Sequence, residues 1–572
     1  MEENIEHCEK GSRYIREGIN VLHLQGSYYE MGYQHGVLLK EQIKKGAFKY
    51  FADKLEDLIE KSFLARLPNF FSDLSLQYLD KVIISRLVKG LPNECLEEIR
   101  GLADGAELDF NATQKAFVFP DVTSYLIGKI NRRHKVLNLP LRLRIPTLGC
   151  SSFVALGEAT ASGKLIHGRN MDFYGIGFWD PYHTVIYYQP DKGLSYVSIS
   201  SAGVATAGLT SMNEKGITVD LHQNYSSDIS LEQTPIMALG NKIAQEADSL
   251  EKALAIIKQN PPNAGWTFLI SDGQKGDVVV VELSAHKMQI RKPRKGFIYA
   301  ANSYMTDELH ETELELNRGI TINSLSRHKR LGELVELNFG KIDEDIAAQI
   351  MGDHLDLNVR RERAIGDIIV QLLNLSSTIL SPEEKKFWVA KGRAPVCNSK
   401  FVGFHLEDDF KKIKNPKSLE GNEFNKTGKF HSLAEIIKSE SFYQKGNLQG
   451  ALTHLEKAIK HDLEEPILYH LKGTIHLKMR AFEDALRCFD QALSFPQHNY
   501  KMGLEYLWKG RTYDLLNNRE RAIDEYKKIL KLSCLSKPLL RLAEKGIKRP
   551  YLDKNLDFIN LEFFLGEELD LK

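Results

Sequence analysis

Hydrophobic positions change their period along the 572-residue chain, and the changes divide it. Up to residue 149 the chain reads mainly as helix. In "YYEMGYQHGVLLKEQIKKGAFKYFADKLEDLIEK" apolar residues return every three or four positions, and "ECLEEIRGLADGAEL" predicts a shorter helix. Pro146 and Gly149 break that pattern. From Cys150 the period becomes two. "CSSFVALGEA" and "KLIHGRNMDF" flank a Ser162-Gly163 turn, "HTVIYYQ" and "SYVSISSAG" a Lys192-Gly193 turn, and both predict hairpins. "WTFLISD", "DVVVVELSA", "KMQIRK" and "GFIYAANS" predict further strands. "TPIMALGNKIAQEADSLEKALAIIKQN" is helical, and "KKFWVAKG" with "SKFVGFHL" forms a closing pair near Leu406. Strands, helices and more strands predict an α+β layered domain.

"EDDFKKIKNPKSLEGNEFNKTGKF" is polar and reads as a linker. Beyond it the period of a helix returns and the sequence repeats: "GNLQGALTHLEKAIK", "RAFEDALRCFDQALS" and "NNRERAIDEYKKILK" align. Ala451 to Ala485 spans 34 residues and Ala485 to Ala522 spans 37, and Tyr469 and Gly473 recur as Tyr506 and Gly510. This resembles the tetratricopeptide repeat, a helix pair with small residues where helices touch. The first copy departs most, with Glu435 and Ser439 at the bulky and small positions. Three repeats and a closing helix, "KPLLRLAEKG", predict an all-α solenoid whose concave face takes a protein partner, or a helical array without one. The expected organisation is a helical segment over 1–149, a catalytic domain over 150–408, a linker over 409–431 and repeats over 432–572.

Composition narrows the function classes. Lysine plus arginine and aspartate plus glutamate are 76 each, which argues against a general nucleic-acid binder. No apolar run reaches membrane-span length, and the opening residues lack the apolar core of a signal peptide, so the cytoplasm is the default expectation. The six cysteines show no C-x-x-C pairing, and neither a metal nor a cofactor is expected.

Cys150 follows a glycine at the start of a strand. A small apolar filler is one account of it. A nucleophile is another, and needs a base and oxyanion donors. His167 and His183 fall on or near strands, and either pairs with Cys150 only through tertiary folding. The other base is a backbone amine: cutting the Gly149–Cys150 bond gives Cys150 both thiol and amine. An α-amine titrates near about 7.7–8.0 and a thiol near about 8.5, so proton exchange between them is nearly balanced at neutral pH.

"GCSSF" followed by "GRNMDF" resembles the cysteine N-terminal-nucleophile hydrolases, a group with bile salt hydrolase, penicillin V acylase and acid ceramidase. The acyltransferase branch, peptidase family C45 with the isopenicillin N acyltransferase type, is the most similar, with a preceding segment like "GSYYEMGYQHGVLL". "MNEKGITVDLHQN", "AANSYM", "NSLSRHKRLGEL" and "MGDHLDL" follow in that family's order, from about Leu22 to Leu406. The resemblance implies a four-layer αββα domain, cleavage between Gly149 and Cys150, and a cysteine amidohydrolase or acyltransferase acting on a small non-peptide acyl amide through a thioester. Cys150 is then the nucleophile and its amine the base. Asp172 orients the amine, Arg169 keeps the thiolate region positive, Asn224 and Asn302 serve the oxyanion and acyl amide, and Arg327, with Arg330 one turn on, recognises a carboxylate. Asp353 and His354 match a dipeptide that the family follows with a proline and a cysteine, which this chain lacks.

Each residue also has a plainer account. Arg169 and Asp172 form a turn-end ion pair, Asn224 makes a turn, and Asn302 caps a helix. The basic residues Lys129, Arg132, Arg133, His134, Lys135, Arg142 and Arg144 before the cleavage point form a processing loop, a surface for anionic substrates or a solvated face. Two rival functions remain: a scaffold whose working part is the repeats, and a Cys-His protease of the uncut chain.

Overall fold

A computed structural model describes residues 5–51, 53, 79–137, 149–407, 415–533 and 536–568. Of the basic residues before Gly149, Lys129, Arg132, Arg133, His134 and Lys135 lie on a helix, Phe119–Leu137, rather than in a loop, and Arg142 and Arg144 lie outside the described residues. Two compact units emerge: Met1–Glu315 with Leu331–Gly352 and Leu373–Asn422, and Leu316–Arg330 with Asp353–Leu372 and Glu423–Lys572.

The first unit is built on two large sheets. In chain order their strands are β1 Glu6–Cys8, β2 Gly11–Arg16, β3 Ile19–Gly26, β4 Gly149–Ala155, β5 Ile166–Asp172, β6 His183–Pro190, β7 Tyr196–Ser201 and β8 Thr210–Asn213. There follow β9 Ile217–Gln223, β10 Trp266–Asp272, β11 Asp277–Leu283, β12 Met288–Arg291, β13 Phe297–Ala300, β14 Asn374–Ser381, β15 Lys386–Ala390 and β16 Phe401–His405. The ten-stranded sheet has the order β1-β2-β3-β6-β7-β8-β9-β10-β11-β12 and the six-stranded sheet β13-β4-β5-β14-β15-β16. All pairs are antiparallel except β3 with β6. The expected hairpins form as β4–β5 and β6–β7, the first turning through Gly163 at φ +78°.

Alternation along β9 shows how the layers form. Ile217, Val219 and Leu221 join one apolar cluster with helices α3 Ile236–Glu246 and α4 Leu250–Gln259, numbered after the two helices described next. Thr218, Asp220 and His222 face β4 and β5 instead. Elsewhere the sheets meet through apolar side chains, Val21, Val185 and Val197 clustering with Phe387, Val389 and Val402. Each fully buried side chain of this size stabilises by about 1.5–3 kcal/mol. Helix α5 Glu344–Met351 packs on β5 and β14, and the Met351 carbonyl accepts from Asn170 Nδ2 at 2.7 Å.

Helices α1 Tyr28–Leu38 and α2 Asn93–Ala106 cross at backbone contact. A Cβ on Gly32 would lie 2.1 Å from the Glu98 carbonyl oxygen, and one on Gly101 2.0 Å from that of Tyr29. The glycines of "EMGYQHG" and "RGLADG" are therefore a packing code. Ser27 and Glu30 close the start of α1 with a reciprocal capping box.

Two sequence expectations need correction here. Residues 6–26 are three strands rather than helix: "SRYIR" and "INVLHLQ" alternate between left-handed turns at Glu9 and at Glu17-Gly18. The expected linker is also partly folded, because its apolar residues find partners: Leu419 pairs with Phe401 and Phe424 is buried. Residues 408–414 lie outside the description. Within the expected catalytic stretch, Leu316–Arg330 and Asp353–Leu372 group with the second unit.

The second unit carries three antiparallel helix pairs and a closing helix: α6 Gly428–Gln444 with α7 Leu448–His461, α8 Pro466–Lys478 with α9 Phe482–Leu493, α10 Asn499–Leu515 with α11 Arg519–Ile529, then α12 Lys537–Lys548. The repeated small residues mark the crossings. A Cβ on Gly473 would meet the Phe489 ring at 2.7 Å, and one on Gly510 the Tyr526 ring at 2.5 Å. In the first pair Ser439 takes this place, its hydroxyl donating to the Ala451 carbonyl at 2.8 Å.

Candidate active site

Register brings the site together. In the β4–β5 hairpin Gly149 stands opposite Asp172, Cys150 opposite Met171 and Ser152 opposite Arg169. Cys150, Ser152 and Arg169 share the face toward β9. Arg169 Nη2 donates to Cys150 Sγ at 3.1 Å and to the Leu221 carbonyl at 2.6 Å, and Nη1 donates to the Asn170 carbonyl at 3.0 Å. The Cys150 backbone N–H donates to Asn302 Oδ1 at 2.7 Å, while Asn302 Nδ2 donates to the Gln223 carbonyl at 2.9 Å. Asn302, just past β13, thus spans β4 and β9.

Asp172 points away from Arg169, as three residues along a strand require. It accepts from Asn374 Nδ2 at 2.9 Å, and Asn374 Oδ1 in turn accepts from the Cys397 backbone N–H at 2.9 Å. A Cβ at position 149 would lie 3.2 Å from Asp172 Oδ2, so glycine lets this carboxylate lie against the Gly149–Cys150 peptide. Asn224, directly after β9, accepts from Thr267 Oγ1 at 2.8 Å, but its fully buried Nδ2 has no hydrogen-bond partner. Such an unmet donor costs about 1–3 kcal/mol and marks a place for an acceptor.

A network that the sequence reading did not single out underlies Arg169. Ser152 Oγ lies 3.0 Å from His222 Nε2, which lies 3.0 Å from Asp220 Oδ1. Asp220 Oδ2 is 2.7 Å from His167 Nε2, and His167 Nδ1 is 2.9 Å from Thr218 Oγ1. Burial works against an ionised Asp220, but Arg169, His222 and His167 hold its carboxyl well below the usual range. Burial pushes the Cys150 thiol up. Arg169 offsets this only in part, and Asp172 and Asp220 add to the rise. The thiol of the uncut chain therefore needs a base.

Neither histidine weighed from the sequence supplies it here: the ring nitrogens of His167 are taken by Asp220 and Thr218, and His183 Nε2 sits 3.2 Å from the Gly392 carbonyl. Arg327 belongs to the second unit, where it donates to Asn323 Oδ1 at 2.9 Å. Arg330 there makes a two-pronged pair with Asp353 at 2.8 and 2.7 Å, and His354 stacks on Phe424.

A cleft opens in the first unit, lined largely by apolar groups including Phe48, Phe51, Phe117, Phe173 and Trp179. Met171 and Gln223 also line it. Met171 is the strand neighbour of Cys150, and the carbonyl of Gln223 holds Asn302, so the cleft adjoins the nucleophile.

Among the described residues no helix is long and apolar enough to cross a membrane. Of curated relatives, an uncharacterized protein of Archaeoglobus fulgidus is 25% identical over 61% of this chain and 60% of its own length. Protein dcd1B of Dictyostelium discoideum is 25% identical over 48% of this chain and 52% of its own. The chain thus spans little more than half the length of these relatives. Part of the chain is similar to the N-terminal domain of stress-induced protein-1 from C. elegans, at 15% identity over 21% of this chain and 96% of that one, with a TM-score of 0.20. A tetratricopeptide repeat family model matches residues 506–533. The family model of acyl-coenzyme A:6-aminopenicillanic acid acyl-transferase matches residues 159–392, a span that begins after Cys150 and holds Arg169, Asp172, Asn224, Asn302 and Arg327.

Proposed function

We propose that this chain is a self-processed cysteine amidohydrolase or acyltransferase of the N-terminal-nucleophile type, akin to peptidase family C45, with a four-layer αββα catalytic domain. The observation that carries the reading is the treatment of one residue: the thiol and the backbone nitrogen of buried Cys150 are each held by a different polar side chain, Arg169 and Asn302. A packing cysteine needs neither bond.

In processing, Cys150 Sγ attacks the Gly149 carbonyl carbon. The peptide C–N bond breaks, the thiol proton passes to the departing amine, and a thioester forms that water hydrolyses. The freed amine then accepts the thiol proton during turnover. Sγ attacks the amide carbonyl of the substrate, Asn224 Nδ2 and Asn302 serve the oxyanion and acyl amide, and the ammonium returns its proton to the leaving amine. Arg169 keeps the thiolate favourable, and Asp172, fixed by Asn374, orients the ammonium by a charge-assisted bond. Water or an acceptor amine releases the acyl group. The cleft beside Met171 suits a bulky apolar acyl group, aromatic or long-chain.

The test is to incubate the protein with N-phenylacetyl and N-acyl amino acids and trap the acyl-enzyme. A mass increase equal to the acyl group on the fragment that begins at Cys150, removed by hydroxylamine, is expected. Turnover without any such adduct, or an adduct retained in Cys150→Ala, would defeat the reading.

A further inference from the structure

The second unit contains its own ligand. After α12 the chain turns back, and residues 551–568 run along the first helices of the three pairs. Leu561 and Phe563 cluster with Ile436, Leu468 and Ile475, and Leu556 and Ile559 with Leu477 and Trp508. The main chain is gripped as well: Lys478 Nζ donates to the Ile559 carbonyl at 2.9 Å and Lys501 Nζ to that of Leu565 at 2.6 Å.

This segment also carries two adjacent glutamates, Glu567 and Glu568, both fully buried. Glu568 Oε2 accepts from Trp508 Nε1 at 2.8 Å, and its Oε1 accepts from Thr474 Oγ1 at 2.8 Å and lies 3.3 Å from His470 Nε2. Glu567 Oε2 accepts from Lys501 Nζ at 2.6 Å, and Oε1 from Tyr500 OH at 3.3 Å. Burial alone would leave His470 neutral, but Glu505 and Glu568 push it up to about 10, so it faces Glu568 as a cation. Buried carboxylates are costly unless every oxygen is met. Here each of the four oxygens has a donor from α8 or α10. Apolar anchors with a specifying pair of charges is how a peptide is recognised, not how an ordinary core is filled.

We propose that the first helices of the repeats form a recognition groove for a peptide carrying paired glutamates, and that residues 551–568 occupy it as an intramolecular ligand. The expected free concave face is therefore closed in this state, and an outside acidic peptide must displace the segment to bind.

The test uses the full chain with a protease site inserted between the exposed Arg549 and Pro550, and a fluorescent peptide of residues 551–572. After cutting, the labelled peptide is expected to exchange saturably into the groove. The intact chain should bind it at least about a hundredfold more weakly, because a tethered copy competes. A peptide carrying Glu567→Gln and Glu568→Gln should bind roughly tenfold or more weakly than the parent. Loss of helical circular dichroism on cutting, or a cut segment that never exchanges, would make it a structural strut and overturn the proposal. Equal binding of the glutamine peptide, or equal binding to the intact chain, would overturn it too.

Discussion

Two buried polar clusters in this molecule are handled in opposite ways. The pair Glu567 and Glu568 is closed, each of its four carboxylate oxygens meeting a donor. The cluster around Cys150 is not: Asn224 Nδ2 lacks a partner and the thiol is pushed up rather than ionised. A closed cluster holds a segment in place, whereas an open one keeps capacity for a group that arrives later. Buried polarity alone does not mark an active site; unmet buried polarity at a nucleophile does.

Substitutions at the two clusters should separate accordingly. Arg169→Leu removes the Sγ contact and leaves Asp220 facing His167 and His222 without its guanidinium. Steady-state kinetics should show kcat/KM lower by roughly a thousandfold or more, and urea unfolding a stability loss of about 3–5 kcal/mol. Lys501→Ala should cost a similar 3–5 kcal/mol, through the stranded Glu567, with kcat unchanged. A fall in kcat for this variant would erase the distinction. Asn224→Ala should do the reverse, lowering kcat by roughly 10²–10³-fold at near-constant stability. If stability falls and kcat holds, Asn224 is only a turn residue. A further effect concerns pH. His470 has its pKa raised from 6.5 to about 10 on folding, so its stabilisation is complete below about 6.5 and lost as pH rises through about 10. Thermal melts should decline over that window, and His470→Gln should flatten the decline.

Much of this was legible in the chain itself. The hairpins and the repeat spacing follow from alternation, turns and small residues at fixed intervals. What was not legible lies where a pattern has two readings. "ITVDLHQ" alternates like a strand with one face in water, yet Thr218, Asp220 and His222 face a second sheet, which alternation alone cannot reveal. Nothing around Glu567 and Glu568 in the sequence announces their burial, and only tertiary packing brings Lys501, Trp508 and Thr474 to them. Asn374 lies about two hundred residues from Asp172, with nothing local to announce the pair. Residues 6–26 are short strands whose parallel partner, β6, begins at His183.

Intact mass under denaturing conditions, with Cys150→Ala alongside, tests the central claim most directly. Cleavage after Gly149 gives fragments of 149 and 423 residues from the 572-residue chain, and both should appear in the parent and be absent from the variant. A parent chain that stays whole while it turns over acyl amides, or a variant that is cut equally well, would contradict the account.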